Sequence, residues 1–139
     1  LTGLAMKVDE TNDGWRVTFD DAQITQFKID FRVTFLVAEL KGMGDLTIEQ
    51  PFEIIEGNRR TTVHPGEMLS IPPVLDLFNA DVESVTIERM GRLQMRLATG
   101  AAIEVVLSQP YEAWQFGWLG EFLFVSAPGG EVMEFREPK

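Results

Sequence analysis

The chain contains no cysteine and a single histidine, His64, among its 139 residues. The lack of cysteine excludes disulfides, thiolate metal sites and thiol nucleophiles. A histidine-based zinc site needs two or three converging ligands, which one histidine does not supply. We therefore expect no cofactor and no metal, and the missing cysteines fit a reducing, cytoplasmic compartment.

Positive charge is also scarce. The chain has 12 Lys and Arg residues against 22 Asp and Glu residues, a formal net charge of −10. Nucleic acids and anionic membranes attract basic surfaces, so we expect neither as a partner. A basic protein partner would be attracted and steered by this charge. The alternative is that the charge simply keeps a β protein soluble.

Long hydrophobic runs are missing as well. No run of about 18 apolar residues occurs, so no membrane span is expected. No basic segment precedes an apolar stretch, so no secretory signal is expected. The length predicts a single domain over residues 1–139.

Apolar and polar residues alternate between Phe27 and Val37, which predicts one half-buried strand. Residues 41–45 contain two glycines and predict a turn, and residues 46–54 predict the returning strand. Shorter strands of the same kind are predicted over 85–87, 93–97, 103–107, 114–118, 122–125 and 132–135. Short strands separated by glycine turns are typical of an antiparallel meander.

The two halves of the chain resemble each other. The pattern that opens at Ile24 returns at Val82, an offset of 58, and Gln50-Pro51-Phe52-Glu53 returns as Gln109-Pro110-Tyr111-Glu112, an offset of 59. The sequence therefore predicts a mainly β fold with two repeated antiparallel units, residues 24–54 and 82–113. These units would form a sandwich or a partly open barrel, with one short helix between them.

That helix is predicted to follow Ser70 as its N-cap, with two prolines in the first turn and Asn79 at its end. Met68, Leu69 and Ile71 around its start are expected to be buried. The paired prolines leave an extended loop as the alternative.

Residues that could carry chemistry are few. No nucleophile elbow and no phosphate-binding loop occurs in the sequence. Glu53 and Glu112 hold equivalent positions in the two halves and could approach each other across a pseudo-twofold axis, as a carboxylate-based reaction would need. The alternative is that each faces solvent. His64 precedes Pro65 and is expected to be an exposed loop residue rather than a general acid or base.

Three aromatic residues, Trp114, Phe116 and Trp118, share one face of a predicted strand. Two interpretations stay open, because such a stripe either fills a core or forms a partner surface. Trp118 borders a turn, and exposure and burial are equally compatible with its position.

The C-terminal third also carries a family resemblance. The string Tyr111-Glu112-Ala113-Trp114, then Gly120, then Pro128-Gly129-Gly130-Glu131, resembles a bacterial family of small proteins of unknown function. The upstream string from Ile48 to Phe52 is similar to another element of that family. The resemblance spans residues 24–135 and implies a bacterial, cytoplasmic protein. Because the resemblance is densest here, we expect any site where residues 111–114 meet the turn at 128–130.

Three functions compete. The first is a non-catalytic acidic binding module that inhibits or escorts a basic protein partner. The second is a structural or homo-oligomerisation domain, with the strand over 27–37 pairing across a homodimer. The third is a carboxylate-based enzyme of unknown reaction, with His64 as a further candidate group. The candidate binding residues are Tyr111, Glu112, Trp114, Trp118, Gly129, Gly130, Glu131 and Glu53.

Overall fold

The computed structural model describes residues 6–106 and 113–137. These residues form a mainly β fold, as predicted, with twelve antiparallel strands in one open sheet, one short helix and a 3-10 turn. None of the described helices is long and apolar enough to cross a membrane.

The elements are β1 (Met6–Glu10), β2 (Gly14–Ile29), β3 (Val33–Glu39), β4 (Gly42–Ile48), β5 (Phe52–Glu56), β6 (Arg59–Val63), the 3-10 turn (Met68–Ser70), α1 (Pro72–Leu75), β7 (Asp81–Glu88), β8 (Leu93–Leu97), β9 (Ala102–Val105), β10 (Trp114–Trp118), β11 (Phe122–Ser126) and β12 (Val132–Arg136).

The strand order shows how the two halves of the chain are joined. It runs β12-β11-β10-β4-β3-β2-β7-β8-β9-β5-β6, and β1 pairs with β2 beside this path. The meanders β2-β3-β4 and β7-β8-β9 meet through the β2–β7 pair. Each meander then pairs with the strand that follows the other one, β4 with β10 and β9 with β5. Two repeated units would give this exchange of following strands. The repeat itself stays a prediction, because residues 109–112 lie outside the described part of the chain.

The sheet curls around one core. Trp15 in β2 lies with its ring centroid 5.1 Å from that of Phe124 in β11, and Phe35 in β3 lies 6.0 Å from Phe52 in β5. Neither pair comes from neighbouring strands, so the inner face of the sheet must close on itself. The burial of alternate residues along β8, β10 and β11 follows from this geometry.

The single strand predicted from Phe27 to Val37 is wrong, because the chain turns at residues 30–32. The backbone N–H of Arg32 donates to the Asp30 side chain at 2.7 Å, and Phe31 is 76% exposed at the turn. An aspartate that bonds the backbone two residues later stabilises a turn. Within the described part of the chain, β3 is paired on both sides, by β2 and by β4, whereas Phe27 to Ile29 of β2 pair with β3 alone. A homodimer through this segment stays a prediction.

The turn predicted over residues 41–45 lies earlier, at residues 40 and 41, since β4 begins at Gly42. Tertiary packing explains the two glycines better than turn formation does. A Cβ atom at Gly42 or at Gly44 would lie 2.6 Å from ring atoms of Trp118. Both positions therefore need glycine because the Trp118 indole lies directly on this strand.

The helix lies where it was expected, but its N-terminal details differ. Ile71 is the N-cap, whereas the Ser70 hydroxyl donates to the backbone carbonyl of Glu67 at 2.8 Å. The helix ends at Leu75 with Asp76 as its C-cap, so Asn79 does not end it as predicted. Asn79 instead closes the turn that follows, with a positive φ of 67°. Ile71 is buried as predicted. Met68 and Leu69 are exposed because the 3-10 turn that carries them lies outside the core.

Candidate binding groove on the outer sheet face

A groove of about 570 Å³ crosses the outer face of the sheet. Its centre follows one row of directly opposed residues, one from each of the strands β3, β4, β10, β11 and β12. Opposed residues share a sheet face, so the row forms a single surface. Its members are Leu36, Asp45, Gly117, Leu123 and Phe135.

Gly117 forms the floor of this groove. A Cβ atom at residue 117 would lie 3.3 Å from Leu123 Cδ1 and 3.8 Å from Asp45 Oδ1. A carboxylate oxygen and a methyl group therefore border the space that any other side chain would fill. The groove exists because the strand has a glycine at this position.

Asp45 places a desolvated carboxylate beside that floor. Burial raises the pKa of Asp45 above its usual range, and the positive charge of Lys28 opposes this shift only in part. Among the described residues, none donates a hydrogen bond to the Asp45 carboxylate within bonding distance. An unpaired, partly buried carboxylate gains most from an added cation or hydrogen-bond donor.

Exposed apolar side chains surround the groove. Met43, Leu119 and Phe135 are 48%, 78% and 51% exposed, and all three line it. Arg136 and Glu137 border it at the β12 end. An apolar surface with polar groups at its margin is typical of an interaction site.

The side chains of the aromatic stripe of β10 lie on the opposite, inner face, although Trp118 also borders the groove. Trp114, Phe116 and Trp118 are all buried, so the core interpretation is the right one for these side chains. Trp118 is only 4% exposed and stacks at 5.1 Å on Phe19. Its position next to a turn does not expose it, because β4 presents two glycines to the ring.

Trp114 meets the turn between β11 and β12, but through a third segment. Its Nε1 donates to the backbone carbonyl of Gly91 at 2.8 Å. A Cβ atom at Gly91 would lie 2.5 Å from the carbonyl oxygen of Gly130, so the two turns are in close contact. Gly129 and Glu131 are exposed on the outer side of this turn. Of the other candidate residues in this region, Tyr111 and Glu112 lie outside the described residues.

Glu53 lies on the other half of the sheet, directly opposite Glu104. Arg60 Nη1 lies 2.8 Å from Glu53 and 3.6 Å from Glu104, and Arg92 contacts Glu104 at 2.5 Å. Burial would raise the pKa of Glu104, but the hydrogen bond and charge of Arg92, with help from Gln94 and Arg60, lower it overall. Arginines thus compensate this carboxylate pair, whereas at Asp45 the charge of Lys28 opposes the effect of burial only in part.

The remaining polar candidates do not join the groove. His64 lies in an exposed loop, as expected, with its Nδ1 3.8 Å from the Glu67 carboxylate. Neither His64 nor Glu53 lines the groove. Within residues 6–106 and 113–137, no three His, Asp or Glu side chains are arranged to hold a metal ion.

A second cavity of about 560 Å³ lies where the pairing of β2 with β7 is interrupted between Thr18 and Ala22. Its charged lining is acidic except for Arg16. The carboxylates are those of Asp20, Asp21, Asp81 and Glu83. This cavity adds to the negative charge of the molecular surface.

Sequence reasoning missed Asp45 and Gly117. Asp45 was assigned to a turn, and Gly117 was overlooked inside the aromatic stripe. One signal was present, since a glycine within a strand often marks a place where another group approaches closely. The two residues meet because β4 pairs with β10, and no periodic pattern in the sequence predicts that pairing.

Comparison with known proteins places the chain in a family. Residues 15–136 match a family of unknown function (DUF6188). The chain belongs to this family. The matched range contains every residue of the central row of the groove, from Leu36 to Phe135. Among curated proteins and solved structures, no significant match is found. The DUF6188 family has no assigned activity.

Proposed function

We propose that this DUF6188 protein is a non-catalytic acidic binding module for a basic protein partner. An arginine or lysine side chain of the partner would lie over Gly117, with its charged end against Asp45. The observation that carries the proposal is the unpaired, desolvated carboxylate beside a glycine floor. Because this carboxylate is already desolvated in the free protein, a bound cation regains electrostatic energy at little further cost.

The walls of the groove suit the rest of such a side chain. Lysine and arginine carry three or four methylene groups that pack on apolar surface while the charged head finds a polar partner. Leu36, Leu123 and Phe135 offer that apolar surface in the same row as Asp45. A bare metal ion or a small anion would not use it.

The net charge of −10 supports a basic partner at longer range. The acidic second cavity adds to the attraction, so association would be electrostatically steered. We expect the association rate to fall as salt rises, because surface charges are screened beyond about 8 Å at physiological ionic strength. The same charge disfavours nucleic acid and anionic membranes.

The family resemblance and the absence of cysteine support a bacterial, cytoplasmic setting for this partner. The carboxylate-enzyme alternative has less support, because Glu53 is held by arginine and His64 lies in an exposed loop.

The test is an NMR titration of the ¹⁵N-labelled protein with a short capped peptide that contains one arginine between two leucines. The control peptide carries citrulline, which has nearly the shape of arginine without its charge. We expect the arginine peptide to shift the amide signals of Asp45, Gly117 and Leu123, and the citrulline peptide to bind about 10-fold more weakly.

Two variants localise the site. Asp45→Asn removes the charge and Gly117→Ala fills the floor, and each should weaken arginine-peptide binding about 10-fold or more. Asp76→Asn makes the same chemical change at an exposed position outside the groove and should bind like the wild type. Equal binding of both peptides, or shifts that avoid the groove, would overturn the proposal.

A further inference from the structure

β12 is an outer strand of the sheet, and it has an unused edge. Among the described residues it pairs with β11 alone. The Glu137 N–H donates to Glu121 O at 3.0 Å and the Ala127 N–H donates to Glu131 O at 2.8 Å, so the odd-numbered residues of this segment point their backbone groups towards β11. The even-numbered residues must point theirs the other way.

Those outward groups are few and can be counted. The Val132 N–H already donates to the Arg89 carbonyl at 3.3 Å. The Val132 C=O and the N–H and C=O groups of Glu134 and Arg136 have no backbone partner among the described residues. The four groups of Glu134 and Arg136 form a short template for another strand.

The side chains of β12 favour an identical strand as that partner. Met133 and Phe135 lie on the outer face and are about half exposed, so pairing would bury apolar surface. Glu134 and Arg136 already form an ion pair within the strand. A strand that carries one acid and one base two residues apart is complementary to itself in the antiparallel direction.

We infer that a second copy of this chain pairs antiparallel with β12, around a twofold axis that passes between the two Phe135 residues. In this register Glu134 lies opposite the partner's Arg136, and Arg136 lies opposite the partner's Glu134. The N–H and C=O groups of Glu134 and Arg136 in each copy are then bonded. A register centred on Glu134 would set two like charges opposite each other and would require the Val132 N–H, which Arg89 holds.

The other outer strands are less suited to this role. β6 contains Arg59 and Arg60 and no acid, so pairing with its own copy would bring like charges together. In β1, Met6 and Val8 already pack against the core, and its fully exposed side chains are polar, so pairing there would bury little new apolar surface.

The inference does not depend on a basic partner, but it bears on the groove. Phe135 lines the groove and also lies on the proposed axis. The dimer would therefore carry two grooves side by side on one continuous sheet face. Each copy has a net charge of −10, so we expect the dimer to tighten as salt screens the repulsion.

Disulfide cross-linking tests the register, because the chain has no cysteine of its own. Opposed residues of a non-hydrogen-bonded pair have Cα atoms about 4.5 Å apart, within the range that a disulfide spans. Phe135→Cys should therefore give most of the protein as a covalent dimer under mild oxidation at tens of micromolar. Met133→Cys should stay monomeric, because its counterpart would lie about 13 Å away.

Other outcomes would overturn the inference. Cross-linking through Glu134→Cys instead would show the other register, and cross-linking through Val8→Cys instead would show pairing at β1. Equal yields from Phe135→Cys and Met133→Cys would show random collision.

Sedimentation of proteins without cysteine gives a second, independent readout. The wild type should sediment as a dimer at tens of micromolar and Glu134→Pro as a folded monomer, because proline removes only an N–H that points away from β11. Arg136→Glu should weaken the dimer about 10-fold or more, and the double swap Glu134→Arg with Arg136→Glu should restore it. At about 0.5 M salt the repulsion between the two copies is strongly screened. A wild type that stays monomeric there at about 200 micromolar protein would refute the dimer.

Discussion

At the scale of single residues, Asp45 differs from Glu104, a buried acid on the other half of the sheet. Glu104 has two arginines and a glutamine around it, and its pKa is lowered despite burial. Burial raises the pKa of Asp45, and the charge of Lys28 opposes this only in part. No residue in the described part of the chain donates a hydrogen bond to it. Glu104 therefore contributes to folding, whereas Asp45 is a group that folding has left uncompensated.

The sign of the Asp45 shift gives the first prediction. A raised pKa means that the folded protein holds this proton more tightly than the unfolded chain, so ionisation lowers stability as pH rises above about 4. Asp45→Asn should therefore raise the Tm by about 1–3 °C at pH 7, and the gain should vanish as pH falls below about 4. Thermal unfolding followed by circular dichroism at several pH values measures it.

Asp76→Asn serves as the control and should change the Tm little at any pH. A loss of stability in Asp45→Asn at neutral pH would mean that the carboxylate anchors the fold and is not held ready for a ligand. Higher stability together with weaker peptide binding is the pattern expected when a residue serves function at a cost to the fold.

At the scale of elements, the paired strands β4 and β10 each contain a glycine, and the two glycines have different roles. Gly44 admits the Trp118 ring on the inner face, and Gly117 leaves the groove open on the outer face. The two residues lie in adjacent strands and near the same end of the pair. One serves packing, and the other serves the proposed site.

Alanine substitution should separate these roles. In Gly44→Ala the new Cβ would lie 2.2 Å from the Gly117 carbonyl oxygen, so the strands must move apart. We expect a loss of about 3 kcal/mol or more in the free energy of unfolding. In Gly117→Ala the tightest contact is 3.3 Å, to the end of the flexible Leu123 side chain, and the loss should stay below about 1 kcal/mol.

Urea denaturation of the two variants measures this difference. Equal losses would show that the outer face near Gly117 is packed as tightly as the core. Intact binding in a folded Gly117→Ala protein would remove the groove from the proposed function.

Several elements could be predicted from the sequence and others could not. The strands from Leu93 to Leu97 and from Trp114 to Trp118 follow from alternating burial alone. The alternation of apolar and polar residues continues through Phe31, although the chain turns there. The turn depends on the hydrogen bond from the Arg32 N–H to the Asp30 side chain, which the alternation does not reveal. Gly42 was misread because a glycine required by a distant indole looks like a glycine required by a turn.

At the scale of the whole molecule, the turn between β7 and β8 connects the first hairpin to the last one. Arg89 lies 4.5 Å over the Trp15 ring and donates to Glu10 Oε2 at 2.6 Å. Its carbonyl accepts from Val132 at 3.3 Å, and the neighbouring Gly91 carbonyl accepts from Trp114. One turn thus contacts the first hairpin, the last hairpin and the aromatic strand, which holds the open sheet in its curled form.

Loss of the Trp114 hydrogen bond should loosen that arrangement. Trp114→Phe keeps an aromatic ring in the core but leaves the Gly91 carbonyl without its donor and a cavity beside it. We expect a loss of about 2–4 kcal/mol in the free energy of unfolding. Hydrogen exchange should also show faster exchange at the Val132 amide. Gln115→Ala, on the outer face of the same strand, is the control, and an equal loss there would contradict a special role for the indole.

The sequence by itself determined the class of fold, the acidic surface and the absence of thiol chemistry. Alternation, glycine and charge are local properties that a chain carries in any conformation, so they could be read before the structure was known. The tertiary structure decided which residues meet. Asp45 and Gly117 are 72 positions apart and face each other only because β4 pairs with β10 across the two halves. The free edge of β12 likewise depends on which strand ends the sheet, and strand order is set by the packing of the curled sheet as a whole.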